Sequence, residues 1–127
     1  MGYAIPAAIG IAYVKHPVWA FCGDGGFQMG LQELDTIVNE HLPIAVFVLN
    51  NRSLGMVREA QKRHLGSRFY GTVEGYSVPS IEKLANAFGI DYYKFDVTHV
   101  DKFASVPLPM IVEIDITETV SNENQNA

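Results

Sequence analysis

With 127 residues, 48% of them hydrophobic, the chain can bury one core of ordinary domain size. A formal charge of −5 and a pI near 5.2, with nine basic residues scattered along it, exclude a basic footprint for nucleic acid, so any bound anion must be held locally. The single cysteine has no partner for an intrachain disulfide, and no apolar run reaches the roughly 18 residues of a membrane span, so a reducing, cytoplasmic setting is expected. The small residues at the start lack the basic region of a secretory leader.

Residues 3–12 predict a close-packing helix, with Pro6 tolerated in its first turn. Residues 18–22 have no polar alternation and predict a strand buried on both faces, in which Cys22 is a small hydrophobe rather than a nucleophile. Leu31, Leu34 and Val38 recur at helical spacing, with Glu33 and Glu40 off the stripe, and Leu42-Pro43 ends that amphipathic helix. Residues 44–49 form a second wholly apolar strand, and 54–65 return to helical spacing through Met56, Val57, Ala60 and His64. A loop rich in Gly, Ser and Tyr covers 66–79, after which Ser80 caps a helix that Gly89 closes. Residues 92–97 predict a strand, 98–104 a short helix, 110–115 a last strand, and the polar residues 121–127 a frayed end. Strands alternating with helices imply parallel pairing through right-handed crossovers. The expectation is an α/β domain over residues 1–116, a three-layer arrangement of a parallel sheet with flanking helices, then a polar tail over 117–127.

In such a sheet the carboxyl ends of neighbouring strands share one edge, about 4.8 Å apart per strand, and ligands bind there. Asp24, in Cys22-Gly23-Asp24-Gly25-Gly26, follows the first apolar run, and Asn51, 27 positions on in Asn50-Asn51, follows the second. That separation fits a tight loop, one helix, a turn and a strand, so both side chains return to the same edge. A carboxylate and an amide oxygen are hard donors suited to magnesium at about 2.1 Å. No cysteine or histidine pair stands nearby to favour zinc. Gly25 and Gly26 admit an anion close to the backbone, and the helix start that follows adds free N–H groups. The expected ligand is a metal-bridged diphosphate. Neither a Walker loop nor the dinucleotide fingerprint is present. Taken alone, Gly23 to Gly26 reads more simply as an ordinary strand-to-helix turn; the Asn50-Asn51 pair at the right distance gives it weight.

These residues resemble the diphosphate-binding domain of thiamine diphosphate-dependent enzymes. Met1 to Gly10, Phe27-Gln28-Met29, Gln32-Glu33-Leu34, Leu49-Asn50-Asn51 and Leu54-Gly55-Met56-Val57 resemble the large subunit of acetolactate synthase and its relatives. The resemblance implies that Asp24, the Asn51 side chain and the backbone carbonyl of Ser53 ligate Mg2+. It implies that Gly25, Gly26 and Phe27, with Gly23 beside them, contact the diphosphate of thiamine diphosphate through backbone. Leu54, Gly55 and Met56 would lie near the reactive ring, and Met1 would support the bent cofactor. The implied activity is decarboxylation and carboligation of 2-oxo acids, with the cofactor carrying the chemistry.

In that family the domain begins earlier, and a separate pyrimidine-binding domain or chain supplies the activating glutamate. The resemblance therefore implies an N-terminally truncated, incomplete enzyme with no catalytic residue of its own, silent alone. Apolar surface left by the absent segments favours a homo-oligomer. Where acetolactate synthases carry a tryptophan four residues after the methionine, this chain has Ala60, which implies a differently shaped substrate pocket. Arg58 and Arg68 are candidates for a substrate carboxylate, Lys62-Arg63 reads as a solvated face, and His16, His41, His64 and His99 read as surface or loop residues. A non-catalytic magnesium- and diphosphate-binding module, or a subunit retained for assembly, fits the same residues. A flavodoxin-like domain would want further carboxylates near strand ends, and none is evident from the sequence.

Overall fold

The computed structural model describes residues 1–95 and 106–116; the helix expected over 98–104, His99 and the tail 117–127 lie outside the described residues. The elements are α1 (Ala4–Ala12), β1 (Val18–Gly23), α2 (Asp24–Met29), α3 (Glu33–Asn39), β2 (Ile44–Asn50), α4 (Gly55–His64), α5 (Ile81–Phe88), β3 (Asp91–Phe95) and β4 (Met110–Asp115). The strands form one sheet in the order β1-β2-β4-β3, parallel at every pairing. Val18 lies opposite Ile44, while Met110 lies opposite both Ala45 and Asp91. This is the α/β parallel sheet with flanking helices expected from the alternation of periods.

The interior strand β2 is apolar on both faces because both faces are covered. Ile44, Val46 and Val48, with Ile111 of β4, pack against Ile5 and Ala8 of α1, Phe27 of α2, Leu34 and Ile37 of α3, and Ile81 and Ala85 of α5. Each such fully buried branched side chain contributes about 1.5–3 kcal/mol relative to exposure. On the opposite face Ala45, Phe47, Met110 and Val112 form a smaller cluster with Val106 and Leu108.

Two local expectations are corrected. β1 is an edge strand, so its burial alternates: Val18 and Ala20 are buried, whereas Trp19 and Phe21 are 51% and 56% exposed. Their rings lie against Phe47, at centroid distances of 5.4 and 4.7 Å. The single helix expected through Leu31 is two, α2 and α3, separated at Gly30. There a Cβ would stand 3.3 Å from Ile5 Cδ1, so the chain turns where α1 approaches it. The helix α4 forms as expected and buries none of its residues, Met56 and Val57 included.

The helix α5 follows its sequence signals. Ser80 accepts a hydrogen bond from the Lys83 N–H at 3.2 Å, and Gly89, at φ +70°, terminates the helix in a left-handed conformation that costs glycine little. Ser80→Ala is expected to lower stability by about 1 kcal/mol, seen in urea as a reduced midpoint with an unchanged slope. Among the described residues no helix is long and apolar enough to cross a membrane.

Candidate cofactor site at the carboxyl edge of the sheet

β1 and β2 run in register to their ends, with Gly23 opposite Leu49, so the residues after them leave the same edge. Gly23, in extended conformation, is the N-cap of α2, and Asp24 opens the helix with no loop between strand and helix. The Asp24 side chain is thereby drawn under the edge, and the residue is only 2% exposed. One carboxylate oxygen accepts the Gly25 N–H at 2.9 Å, while Oδ2 is buried without a partner. Burial pushes this carboxyl above its ordinary range. The N–H groups of Gly25, Arg52 and Ser53 and the Tyr76 hydroxyl pull the other way without cancelling it. An orphaned buried carboxylate oxygen carries a desolvation penalty that a cation would remove.

Across the edge, the turn after β2 is held by side-chain caps. Asn50 Oδ1 accepts the Arg52 N–H at 3.2 Å and Asn51 Oδ1 accepts the Ser53 N–H at 3.0 Å, with Arg52 in the left-handed region at φ +52°. Ser53 is buried, and its hydroxyl and the Leu54 N–H both donate to the Thr72 carbonyl at 2.9 Å. Leu54 then lies directly over Gly25: a Cβ there would stand 2.4 Å from Leu54 Cδ2, 3.1 Å from Met1 Cε and 3.3 Å from the Tyr76 hydroxyl. Gly25, beside Asp24, and Leu54, just beyond Asn50-Asn51, thus come together at the same edge.

Between them lies a cavity of about 490 Å³, within the size range of cofactor sites. Gly23, Asp24, Gly25 and Gly26 line it from the first strand end. Asn51, Ser53, Leu54, Gly55 and Met56 line it from the second, and Met1 closes it with Gly2 and Tyr3. Leu49, Phe21 and Ile116 add an apolar wall beside the oxygen donors. Of the residues expected at the site, only Phe27 stands apart. It is wholly buried in the core and does not line the cavity.

Cys22 also borders the cavity, half-buried, with its thiol pushed up to about 12 by burial and then by the Asp24 charge, so it stays protonated and unreactive at neutral pH. Arg58 lies over the Phe69 ring, 5.1 Å from its centroid, and neither it nor Arg68 lines the cavity. His16, His41 and His64 are exposed.

Five residues escaped the sequence reading in these roles. Gln28 donates to the Tyr76 hydroxyl at 3.1 Å and to the Ser77 carbonyl at 3.3 Å, which binds the 66–79 loop to α2. Tyr76 is pushed up to about 12 by burial and the nearby Asp24 charge. Buried Thr72 supplies the carbonyl that anchors Ser53 and Leu54. Contrary to the sequence reading, carboxylates do stand near the end of β4: Glu113 and Asp115. Only Glu113 carried a signal, as a charge inside an apolar strand. Among the described residues no group of three or more His, Cys, Asp and Glu side chains gathers as a metal cage. Hard donors from Asp24, an amide and a backbone carbonyl therefore fit an oxygen-seeking ion better than zinc.

A parallel α/β domain with a glycine-lined helix start and an unpartnered carboxylate oxygen at its carboxyl edge is the architecture of a phosphate-ligand binder. Residues 1–107 match the family described as thiamine pyrophosphate enzyme, C-terminal TPP binding domain, and the chain belongs to that family. It is 39% identical over 134 residues to the acetolactate synthase large subunit of Pyropia yezoensis, covering 98% of this chain and 22% of that protein. The large subunit of Lactococcus lactis is 40% identical over 129 residues, covering 94% and 22% respectively. Acetolactate synthase of Mycobacterium bovis is 45% identical over 94 residues, covering 70% and 15%. The chain spans about a fifth of the length of the curated relatives it matches.

Proposed function

We propose that the chain is the diphosphate- and magnesium-binding part of a thiamine diphosphate-dependent enzyme acting on 2-oxo acids, of the acetolactate synthase kind. The observation that carries the reading is the buried, partnerless Oδ2 of Asp24 beside the Asn51–Ser53 turn, in a domain of the thiamine diphosphate-binding family. Asp24, the Asn51 amide oxygen and the Ser53 carbonyl hold Mg2+ in this reading. The backbone of Gly23, Gly25, Gly26 and Phe27 faces the diphosphate, with the N-terminus of α2 adding positive potential. Leu54, Gly55, Met56 and Met1 shape the apolar end of the cavity in this reading. Once bound, the cofactor supplies a carbanion and an electron sink for decarboxylation.

The protein's own contribution is to bind and orient. Burial raises both the Cys22 thiol and the Asp24 carboxyl in the lining, and Asp24 is committed to the metal in this reading. The proton-transfer group comes, in this reading, from a pyrimidine-binding domain or chain, in a reducing, cytoplasmic setting and within a homo-oligomer. The 127-residue chain alone is expected to bind thiamine diphosphate by calorimetry only when Mg2+ is present, and to release no carbon dioxide from pyruvate. Metal-independent binding would remove the metal assignment; turnover by the isolated chain would remove its incompleteness. The same donors fit a non-catalytic binding module. Restoration of turnover by an added pyrimidine-domain chain supports the enzyme reading, and binding with no restoration supports the module.

A further inference from the structure

Behind the Asn51–Ser53 turn lies a buried polar chain that the cofactor contacts do not use. Glu113 sits inside β4, between Val112 and Ile114, and is only 7% exposed. Its Oε1 accepts the Asn50 amide at 2.7 Å and its Oε2 accepts the Tyr92 hydroxyl at 2.6 Å, so each oxygen has a donor. A carboxylate in such a place is retained at a desolvation cost that a hydrophobic residue would avoid, which points to a task beyond packing.

We infer that Glu113 is a positioning residue for the divalent-cation donors, because it fixes the Asn50 amide the one way round that closes the Arg52 turn. The inference rests on the cofactor reading above. A primary amide has a donor end and an acceptor end. Glu113 takes the donor end of Asn50, which leaves its carbonyl for the Arg52 N–H at 3.2 Å. That bond supports Arg52 at φ +52°, a conformation unfavourable for a side chain of its size, and Arg52 links Asn51 to Ser53. The Ile116 N–H, directly after β4, also donates to the Asn50 carbonyl at 3.0 Å, so Asn50 is held at main chain and side chain alike.

Glu113→Leu removes the acceptor for the Asn50 NH2 with little change of volume, so the amide is no longer held one way round. Glu113→Gln is the conservative control, because its amide oxygen accepts from the Asn50 NH2 while its own NH2 donates to the Tyr92 hydroxyl, which can accept.

On the full chain, Mg2+ titrations in the presence of thiamine diphosphate should show at least a tenfold loss of apparent Mg2+ affinity in Glu113→Leu and an affinity within threefold of wild type in E113Q. Metal-free hydrogen exchange at the Arg52 N–H should accelerate in Glu113→Leu and stay near the wild-type rate in E113Q. Tyr92→Phe, which removes a donor to Glu113 but leaves Asn50 alone, should change Mg2+ affinity by less than threefold. Should Glu113→Leu fail to fold, Asn50→Ala carries the same expected loss. Wild-type affinity in Glu113→Leu, a tenfold loss in E113Q, or an equal loss in Tyr92→Phe each overturns the inference. A wild-type chain that takes up neither Mg2+ nor cofactor overturns the cofactor reading instead, while Arg52 exchange still decides the coupling.

Discussion

Asp24→Asn is expected to cost at least a hundredfold in magnesium-dependent thiamine diphosphate affinity and, without metal, to raise the melting temperature of the same chain. The first effect follows from the donor set. Asp24 is the only carboxylate among the described residues lining the cavity, and the hundredfold loss corresponds to about 2.7 kcal/mol. The second follows from its burial. The folded-state carboxyl titrates above its ordinary value of 3.8, so the folded chain holds its proton more tightly than the unfolded chain. Stability is then lost as pH rises from the ordinary value through the raised one. Asparagine keeps an oxygen for the Gly25 N–H and carries no charge, so at pH 7 a gain of about 1 kcal/mol is expected, roughly 4 °C in a domain of this size. Below the ordinary carboxylate range wild type and variant should converge. A variant less stable than wild type at pH 7 without metal would show that Asp24 is structural, and retained metal-dependent binding would show that it is not a ligand.

The balance of burial and neighbours also explains which parts of the fold were legible in the sequence. β2 could be recognised because an interior strand of a parallel sheet is apolar on both faces, and Asn50-Asn51 marks its end. The motif that defines the site was readable for the same reason: two apolar runs ending in glycine, carboxylate and amide imply a shared edge. The edge position of β1 was not readable, since Trp19 and Phe21 are the same residues whether a neighbour covers them or not. Nor was the break at Gly30, which depends on the approach of Ile5 from α1 rather than on any local stop signal. The helical period around Met56 was real, but a period reports a stripe and not what faces it; Met56 is 81% exposed beside the cavity. Thr72 and Tyr76 sit in a loop whose composition gives no hint of burial, and only the contacts with Ser53, Leu54 and Gln28 reveal them.

Phe27→Ala is expected to be the most damaging substitution of a side chain that touches no ligand. α2 has six residues, two of them glycines, and a helix so short and so composed does not persist on its own propensity. It is held because Phe27, 0% exposed, anchors it in the core among Ile5, Leu34 and Val48. Removing the ring should cost about 3–5 kcal/mol, a large share of the roughly 5–15 kcal/mol available to a domain. Fluorescence of Trp19, the single tryptophan, on the neighbouring strand, reports it during urea unfolding. The loss should reach the site as well, because the N–H groups of Gly25 and Gly26 are aimed by that helix. Diphosphate binding should fall in Phe27→Ala and be largely kept in Phe27→Leu, which leaves an apolar anchor at a cost of about 1.5 kcal/mol. Inorganic diphosphate with Mg2+ is the suitable probe, since it has no ring to meet Met56 or Leu54. A Phe27→Ala chain that loses under about 1 kcal/mol would show that α2 is held by something other than this side chain. A stable chain with weakened binding in both variants would place the ring itself, rather than the helix it anchors, in the recognition of the anion.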